Sequence, residues 1–451
     1  MFALLMITVG ATASSSSGSG SGGGSGQRGG AVCGSIDDCF LGGECRASRC
    51  VCDAWRTAPN CSQLSLLPVA AAVGAGPGAG AGTGAGASPP QVYPGEANWS
   101  SWGAQVLFSG GKYHMFAARF SHRCGLNSWW CNSEVVHAEA DRPEGPFSTS
   151  PGPPVVAPFA HNPAVGVAPD GTVLVFHIGS GDTPLSRQGN CSGGVSGLGT
   201  NGTRAWCSAT AATAFPGAPA PPRAGQAWAA PNIAYSSAGP RGPWSLLGGG
   251  SSWGADNPAP IFLGNGTVLL YAKFACNATV NPRAAACYQY GLLRADHWRG
   301  PWSFVRMIEV FGEDVTAWQD QRGFFHMLLQ GGPYTGTASP WLRSCVGHFH
   351  LAHSKDGLNW VMHCHAAPVQ GSFASFPLTN GSSVRVKRRE RHYVLLGPDK
   401  QPRWLYNGVA GEDYDKDLGQ DHTFSAAQAF STDSRQWHEH GVGGEGVAKA
   451  F

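Results

Sequence analysis

The stretch NPAPIFLGNGTVLLYAK, residues 257–273, consists of two apolar segments separated by an Asn-Gly turn. This combination predicts a tight β-hairpin, because Asn and Gly accept the positive φ angles that such turns require. The hairpin pattern occurs five times from about residue 95 onward. Its other copies are GAQVLFSGGKYHMFAA (103–118), NPAVGVAPDGTVLVFHI (162–178), EDVTAWQDQRGFFHMLL (313–329) and ERHYVLLGPDKQPRWLYNGV (390–409).

A second unit follows each hairpin and consists of a strand of small residues, a turn and an aromatic strand start. Its copies are HAEADRPEGPFS (137–148), AYSSAGPRGPWS (234–245), LLRADHWRGPWS (292–303), LAHSKDGLNW (351–360) and QAFSTDSRQW (428–437). Two hairpins per repeat make a four-stranded sheet, and five such sheets bury their faces by packing radially. We therefore predict an all-β fold with a five-bladed β-propeller over residues 95–451; the alternative is a β-sandwich of unrelated strands. We expect four recurring tryptophans between the blades: Trp244, Trp302, Trp360 and Trp437.

Six cysteines are concentrated between residues 33 and 61, with the spacing C-x5-C-x5-C-x4-C-x-C-x8-C. They are Cys33, Cys39, Cys45, Cys50, Cys52 and Cys61. This segment resembles the EGF-like domain family. The resemblance implies disulfides joining the first cysteine to the third, the second to the fourth and the fifth to the sixth.

The rest of the N-terminal region has the composition of leader and linker sequence. Residues 1–13 are predicted to be a signal peptide, since a short apolar run is followed by small residues. Residues 14–32 are rich in Ser and Gly and are expected to be flexible. Residues 62–94, rich in Ala and Gly, are interpreted as a linker to the propeller.

Eight further cysteines fall in close sequence pairs, which predicts local disulfides in an oxidising compartment. The expected pairs are Cys124 with Cys131, Cys191 with Cys207, Cys276 with Cys287, and Cys345 with Cys364. The alternative is free thiols in the core. Seven N-x-S/T sequons also favour an extracellular, secreted glycoprotein. Their asparagines are Asn60, Asn98, Asn190, Asn201, Asn265, Asn277 and Asn380.

The overall composition argues against several classes of partner. The net charge is +2 and 13% of the residues are charged, which indicates no nucleic-acid surface. No later apolar run approaches the roughly 20 residues of a membrane span. Neither dinucleotide nor Walker-type phosphate motifs occur, so we expect no cofactor. For Met362-His363-Cys364-His365 we favour a disulfide at Cys364 over a metal site, and we predict no metal.

The dipeptides that enter the innermost strands should form a ring around the propeller channel. They are Ser101-Trp102, His161-Asn162, Asp256-Asn257, Glu313-Asp314 and Glu390-Arg391. Carboxylates at matching positions of three adjacent blades indicate acid–base chemistry, because neighbouring carboxylates raise one another's pKa. The alternative is that these groups cap strand ends or form local ion pairs.

The repeat, with its D-N-P, E-D and D/N-G sequences, resembles the five-bladed propellers of glycoside hydrolase family 43 and its relatives. The resemblance covers residues 95–451 and implies hydrolysis of a glycosidic bond by a base Asp, an auxiliary Asp and an acid Glu on successive innermost strands. Here the first two blades lack the acidic residue, and the carboxylates occupy blades three to five. Asp256 is therefore the expected base, Asp314 the auxiliary group and Glu313 the proton donor, with Glu390 as the alternative donor.

Aromatic and polar residues near the ring are the expected carbohydrate contacts. Trp102 and Trp129 suit stacking on sugar rings, although core packing is an equal alternative for Trp102. The remaining predicted contacts are His161, Asn162, Asn257 and Arg391. Two functions follow from the sequence. One is a secreted glycosidase that acts on an extracellular or cell-wall carbohydrate, and the other is a catalytically inactive glycan-binding or adhesion propeller.

Overall fold

The computed structural model describes residues 29–70, 91–93, 99–183, 185, 188–189, 191, 222–248, 255–275, 288–330, 349–363, 374–414 and 421–431. Strands dominate these residues, which confirms the all-β class. Their helical segments are short: Ile36–Cys39, Ser121–Arg123, Leu126–Ser128 and Trp129–Asn132. None of these helices has the length and apolar character needed to cross a membrane. The predicted signal peptide and Trp437 lie outside the described residues.

Five antiparallel sheets follow one another along the chain, and we number them as blades 1 to 5. Blade 1 contains, from the innermost strand outward, Ser101–Ser109, Lys112–Phe120, Ser133–Ala140 and Ser148–Thr149. Blade 2 contains His161–Val167, Val173–Ile178, Ile233–Ser236 and Ser245–Leu247. Blade 3 contains Ala259–Phe262, Val268–Ala275, Tyr288–Ala295 and Trp302–Phe311, with Ala227–Trp228 as a fifth, outer strand.

The last two blades complete the propeller. Blade 4 contains Glu313–Gln319, Phe325–Gln330, Phe349–Ser354 and Trp360–His363. Blade 5 contains Arg388–Leu396, Pro402–Ala410, Thr423–Ala429 and Gln91–Tyr93. A separate hairpin pairs Ser375–Pro377 with Ser383–Arg385. Each innermost strand contacts that of the next blade, and the innermost strand of blade 5 contacts that of blade 1, so the ring is closed.

Of the recurring tryptophans, Trp302 and Trp360 are buried between blades as predicted, and Trp244 is partly buried there. Trp302 makes an edge contact with Phe176 of the preceding blade, with ring centroids 6.3 Å apart. Trp360 does the same with Tyr271 at 5.4 Å, and Trp244 with Phe116 at 5.5 Å. Edge-to-face pairs of this kind add to the hydrophobic gain of burial. The recurring tryptophan therefore sets the packing of its blade against the preceding blade.

Blade 5 is completed by a strand from the start of the chain. Gln91–Tyr93 pairs antiparallel with Thr423–Ala429 and so supplies its outermost strand. Val92 and Tyr93 are buried in the cluster that joins blades 5 and 1. This strand lies before residue 95, so the boundary drawn from the sequence leaves out an element of the propeller.

The N-terminal module has its own small sheets and three disulfides. The strands are Gly29–Val32, Gly43–Arg46 and Arg49–Cys52, followed by the pair Arg56–Thr57 and Gln63–Leu64. The disulfides join Cys33 to Cys45, Cys39 to Cys50 and Cys52 to Cys61. This is the first-to-third, second-to-fourth, fifth-to-sixth pairing that the EGF-like resemblance implies.

The module packs directly on blades 4 and 5. Trp55 is fully buried against Trp318, His326 and Phe430. Beside it, Arg322 of blade 4 donates to both carboxylate oxygens of Asp53. These contacts make the module part of the folded body.

The chain after the module continues along blade 5. The peptide N–H of Leu67 donates to the carbonyl of Ala429 at 2.8 Å, and that of Val69 donates to Pro377 at 2.9 Å. The first part of the expected linker therefore packs on the propeller. Most of the Ala/Gly-rich stretch, residues 71–90, lies outside the described residues.

The predicted local disulfides in the propeller are corrected at two positions. Cys124 pairs with Cys191, 67 residues away, so the expected pairs of Cys124 with Cys131 and of Cys191 with Cys207 are wrong. Their Cα atoms lie 4.9 Å apart, because the loop between the second and third strands of blade 1 meets the segment that follows the second strand of blade 2. Cys131 is also disulfide-bonded. The predictions for Cys207, Cys276, Cys287, Cys345 and Cys364 lie outside the described residues.

Candidate active site

A left-handed residue stands at the start of every innermost strand. The five residues are Gly103 (φ 64°), Asn162 (φ 49°), Asn257 (φ 47°), Asp314 (φ 53°) and Arg391 (φ 48°). The ladder to the neighbouring strand shifts register at this point in blades 1, 2, 4 and 5, as in a β-bulge. In blade 1 the equivalent dipeptide is thus Trp102-Gly103, one residue later than the sequence alignment gave. The other four dipeptides are equivalent as predicted.

Side chains of these left-handed residues meet across the channel. The amide nitrogen of Asn162 donates to Oδ1 of Asn257 at 2.7 Å and to Oδ1 of Asp314 at 3.4 Å. Arg391 reaches from blade 5 to the carbonyl of Asn162 at 2.8 Å, with Nη1 3.9 Å from Asp314. A Cβ on Gly103 would lie 2.6 Å from Cγ of Arg391, so glycine is required where the arginine passes. These four polar side chains tie blades 2 to 5 together, and they are buried.

The residues just before them supply a carboxylate pair. Oδ2 of Asp256 lies 3.3 Å from Nζ of Lys273, and Oε1 of Glu313 lies 3.5 Å from the same nitrogen. These two contacts together keep those two carboxylate oxygens no more than about 7 Å apart, a limit that includes the roughly 5–5.5 Å spacing of retaining glycosidases. Lys273 also lies over the ring of Tyr288, 4.3 Å from its centroid. Two adjacent blades therefore present two acids to one ammonium group.

Burial sets the protonation tendencies of this pair. It raises the pKa of Asp256, which Glu313 raises further and Lys273 partly opposes. The pKa of Asp314 is raised to about 6, because burial outweighs the charge of Arg391. Burial alone would lower the pKa of Lys273, but the two carboxylates outweigh it and hold the pKa above its ordinary value. The site thus combines a permanent cation with a carboxyl that accepts a proton easily.

His161 is a neutral, buried neighbour of this pair. Its Nδ1 lies 2.8 Å from the hydroxyl of Ser133, and its ring packs 5.0 Å from that of Trp129. Burial, followed by the charges of Arg391 and Lys273, lowers its pKa well below the usual value. The histidine is therefore suited to hydrogen bonding and not to carrying charge.

Glu390 is bound in a different way from the other carboxylates. Both of its oxygens accept hydrogen bonds from Arg388, at 2.8 and 2.6 Å. Arg388 also donates to the hydroxyl of Tyr414 at 3.2 Å. A local ion pair was the alternative expected for the ring carboxylates, and for Glu390 its partner is Arg388, while Arg391 reaches across to Asn162. A bidentate ion pair of this geometry holds the carboxylate firmly.

The two predicted stacking tryptophans have different environments. Trp102 is 2% exposed, and a Cβ on Gly408 would lie 2.6 Å from its ring. It belongs to the core, which was the alternative reading, because the strands of blade 5 cover it. Trp129 is half-buried beside His161.

The loop that carries Trp129 is anchored at both sides. Cys124 is joined to Cys191, and the carboxylate of Asp421 accepts the peptide N–H of Asn127 at 2.9 Å. Asn132 is fully buried and bonds the carbonyls of Ser121 and Gly189. Its amide therefore holds the loop in place, and Trp129 is the aromatic group that this loop presents to the site.

Sequence reasoning missed two cations of the site, Lys273 and Arg388. Lys273 follows the hairpin turn by seven residues, and Arg388 precedes its blade's dipeptide by two. The sequence alignment compared only the residues at the start of each hairpin and left out those at its end. Position 273 is paired with residue 256 by a backbone hydrogen bond of 2.8 Å, so comparison of both hairpin ends would have found it.

Comparisons with known proteins give a likeness of fold. A thermostable family-43 glycoside hydrolase is 10% identical, with 74% of this chain and 91% of that chain covered and a TM-score of 0.41. Zg3597, a family 117 glycoside hydrolase from the marine bacterium Zobellia galactanivorans, is 13% identical, with 82% and 90% covered and a TM-score of 0.43. The catalytic domain of the Coprinopsis cinerea GH62 α-L-arabinofuranosidase is 9% identical, with 81% and 97% covered and a TM-score of 0.43.

The assignment of the five-bladed fold rests on the five successive sheets and on the closed ring of contacts between their innermost strands. No protein-family model matches the sequence, and neither does any curated protein. The chain has a five-bladed propeller with a disulfide-rich module packed against it. At such low identity the roles of individual residues rest on the geometry of the site.

Proposed function

We propose that this protein is a secreted glycoside hydrolase that cleaves glycosidic bonds in an extracellular or cell-wall carbohydrate. The observation that carries the proposal is the pair Asp256 and Glu313, presented by adjacent blades to the single ammonium group of Lys273. Glycoside hydrolysis needs one carboxyl group to protonate the leaving oxygen and a second carboxylate opposite it. Two carboxyl groups next to the starts of innermost strands on adjacent blades support this proposal.

The roles within the pair follow from their environments. Asp256 is buried and its pKa is raised, so it is the group that carries the proton to the leaving oxygen. The side chain of Glu313 is 32% exposed, so water reaches it, and it acts as the base. This exchanges the roles expected from the resemblance. Asp314 stays in the auxiliary role, since it ties Arg391 and Asn162 beneath the pair.

The substrate contacts in this proposal are the half-buried Trp129 and His161, which is buried beside it. Trp129 stacks on a sugar ring, and His161 hydrogen-bonds a hydroxyl. Asn162, Asn257 and Arg391, which were predicted to bind sugar, instead hold the blades together through their mutual contacts. Export is supported by four disulfides among the described residues, and the exposed sequons Asn265 and Asn380 support glycosylation.

A second candidate is glycan binding without cleavage. Its support is that every carboxylate of the ring faces a cation: Asp256 and Glu313 share Lys273, Asp314 faces Arg391, and Glu390 is held by Arg388. Arg391 also crosses the channel. Ion-paired carboxylates across a filled channel are what a binding scaffold would show.

Product release separates the two candidates. The purified full chain is incubated with a panel of plant, algal and matrix polysaccharides, and soluble products are identified by mass spectrometry. The hydrolase proposal predicts oligosaccharide release that Asp256→Asn and Glu313→Gln each lower by about 10²–10⁴-fold. Asp141→Asn, an exposed carboxylate paired with Lys112, is the matched control and keeps full activity.

Two further outcomes would change the assignment. If Glu390→Gln lowers product release as much as Asp256→Asn does, Glu390 is the donor. If the wild-type chain binds a glycan on an array and releases no product from it, the binding candidate replaces the hydrolase.

A further inference from the structure

Blade 1 carries a second cluster of polar side chains, away from the residues at the starts of the innermost strands. His114 lies on the strand Lys112–Phe120, close to the hairpin turn, and His137 and Glu139 lie on Ser133–Ala140. His114 is directly opposite Glu139 in the ladder. His137 precedes Glu139 by two residues, so all three side chains lie on one face of the sheet.

The three donor atoms are arranged around a common point. Nδ1 of His114 lies 3.0 Å from Nε2 of His137 and 3.5 Å from Oε1 of Glu139. The distance between Nε2 of His137 and Oε1 of Glu139 is 3.9 Å. The point equidistant from the three atoms is about 2.0 Å from each, which is the length of a zinc–imidazole or zinc–carboxylate bond. The two histidine rings are 12° from parallel, with their centroids 5.2 Å apart.

Hydrogen bonds on the far side of the cluster orient these donors. Nε2 of His114 lies 3.1 Å from the carbonyl of Ser109, which can only accept, so this nitrogen carries the hydrogen and Nδ1 has the free lone pair. Nδ1 of His137 lies 2.8 Å from the hydroxyl of Ser150. Metal-binding histidines characteristically use their second nitrogen in this way.

Glu139 is fixed from the neighbouring blade. Arg241, in the outer hairpin of blade 2, donates to both of its oxygens at 2.5 and 2.7 Å. A carboxylate oxygen has two lone pairs, so Oε1 can accept from Arg241 and still bind a cation. The cluster therefore joins blade 1 to blade 2.

We propose that His114, His137 and Glu139 form a binding site for one divalent transition-metal ion, of which Zn²⁺ fits the distances and donor types. Two imidazoles and one carboxylate leave the fourth position of a tetrahedral zinc ion to water. Because the site exists only when the two strands are paired, the ion stabilises the folded state. The alternative arrangement is a direct hydrogen bond from Nε2–H of His137 to Nδ1 of His114, with no ion.

Binding is tested on the full chain after removal of metals with a chelator and dialysis. Titration with ZnCl₂, followed by calorimetry, is expected to show one saturable site, and the melting temperature is expected to rise with the Zn²⁺ concentration. Two variants at partly exposed positions, Glu139→Gln and Ser150→Ala, each weaken binding by at least about tenfold. His363→Gln, which alters the other close histidine pair (3.3 Å from His353), is the control and binds Zn²⁺ as the wild type does.

The position of the ion gives a readout that does not depend on the variants. Crystals soaked in Zn²⁺ should show an anomalous peak between His114, His137 and Glu139. The proposal is overturned if no saturable binding occurs, if the peak lies elsewhere, or if Glu139→Gln folds and keeps the wild-type affinity.

Discussion

The guanidinium group of Arg391 in blade 5 donates a hydrogen bond of 2.8 Å to the carbonyl oxygen of Asn162 in blade 2. The two residues occupy equivalent left-handed positions in their blades, and the bond passes across blade 1. It can do so because blade 1 has Gly103 at the equivalent position, and any side chain there would collide with the arginine. The contact closes the ring on the side where the first and last blades meet.

Replacement of Arg391 should destabilise the propeller strongly. Arg391→Met removes the bonds to the carbonyls of Asn162 and Pro163 and leaves Asp314 buried without its cation. We expect a loss of about 3–5 kcal/mol in the free energy of unfolding, measured by urea denaturation. The exposed Arg294→Met serves as control and should change stability by less than about 0.5 kcal/mol. Equal effects of the two variants would show that the cross-channel contact is not a stabilising one.

Lys273 should control the pH range of activity. In Lys273→Met the buried carboxyl of Asp256 loses its cation but keeps Glu313 as a neighbour, so its pKa rises further. The basic limb of the pH–rate profile, where the proton donor loses its proton, should move to higher pH by about one unit or more. Lys112→Met, in an exposed ion pair, leaves the profile unchanged. A basic limb that stays in place would remove Asp256 from the donor role.

Buried histidines should make the fold sensitive to acid. Burial lowers the pKa of His177 from 6.5 to about 4, so the unfolded chain binds the additional proton. Its contribution to stability is complete above pH 6.5 and is lost as the pH falls towards 4, by about 3 kcal/mol in total. In this pH window the free energy of unfolding should depend less steeply on pH in His177→Gln than in the wild type. In the exposed variant His297→Gln the dependence should equal that of the wild type. An unchanged slope in His177→Gln would contradict the assignment.

The N-terminal strand of blade 5 should be essential for closure. Val92→Asp places a charge in the apolar cluster between blades 5 and 1, at an expected cost of more than about 3 kcal/mol. Val32→Asp introduces the same charge at a position that is 77% exposed, and it should leave the melting temperature within about 2 °C of the wild type. Similar melting temperatures for the two variants would mean that the strand is dispensable.

The docking of the disulfide module should depend on Trp55. Trp55→Ala opens a cavity against Trp318, His326 and Phe430, and we expect it to cost about 3–5 kcal/mol. Thermal unfolding and limited proteolysis between the module and blade 5 measure the effect. Leu246→Ala, at an exposed position of blade 2, is the control. If Trp55→Ala unfolds like the wild type, the module and the propeller are energetically independent.

The fold could be predicted from the chain because its signals are local. In the predicted hairpin turns at Asp170-Gly171 and Asn265-Gly266, the glycines have positive φ angles of 82° and 92°. The tryptophans recur because every blade packs against the preceding blade in the same way. Even the left-handed ring positions are visible in the sequence as Asn and Asp, which tolerate that conformation better than most residues do. Arg391 is the exception, and its cross-channel contacts stabilise it there.

The arrangement of the ring residues was predicted in part, and their catalytic roles stay a prediction. Asp256 and Glu313 were found because they occupy equivalent places in consecutive repeats. Their shared partner Lys273 and the true partner of Glu390 were missed, since ion pairing depends on side-chain directions that no spacing rule gives. The Cys124–Cys191 disulfide was missed for a related reason: proximity in the chain was taken as a guide, and the fold brings distant loops together.

The sequence by itself determined the five repeated hairpins, the disulfide-rich module and the ring on which the acids lie. Those features arise from turn chemistry, strand periodicity and cysteine spacing, which act over a few residues at a time. Only the tertiary structure decided which acids share a cation, that Arg391 crosses the channel, that Gln91–Tyr93 closes blade 5, and that His114 meets His137 and Glu139. Each of these is a contact between residues far apart in the chain, and packing of whole blades sets their distances.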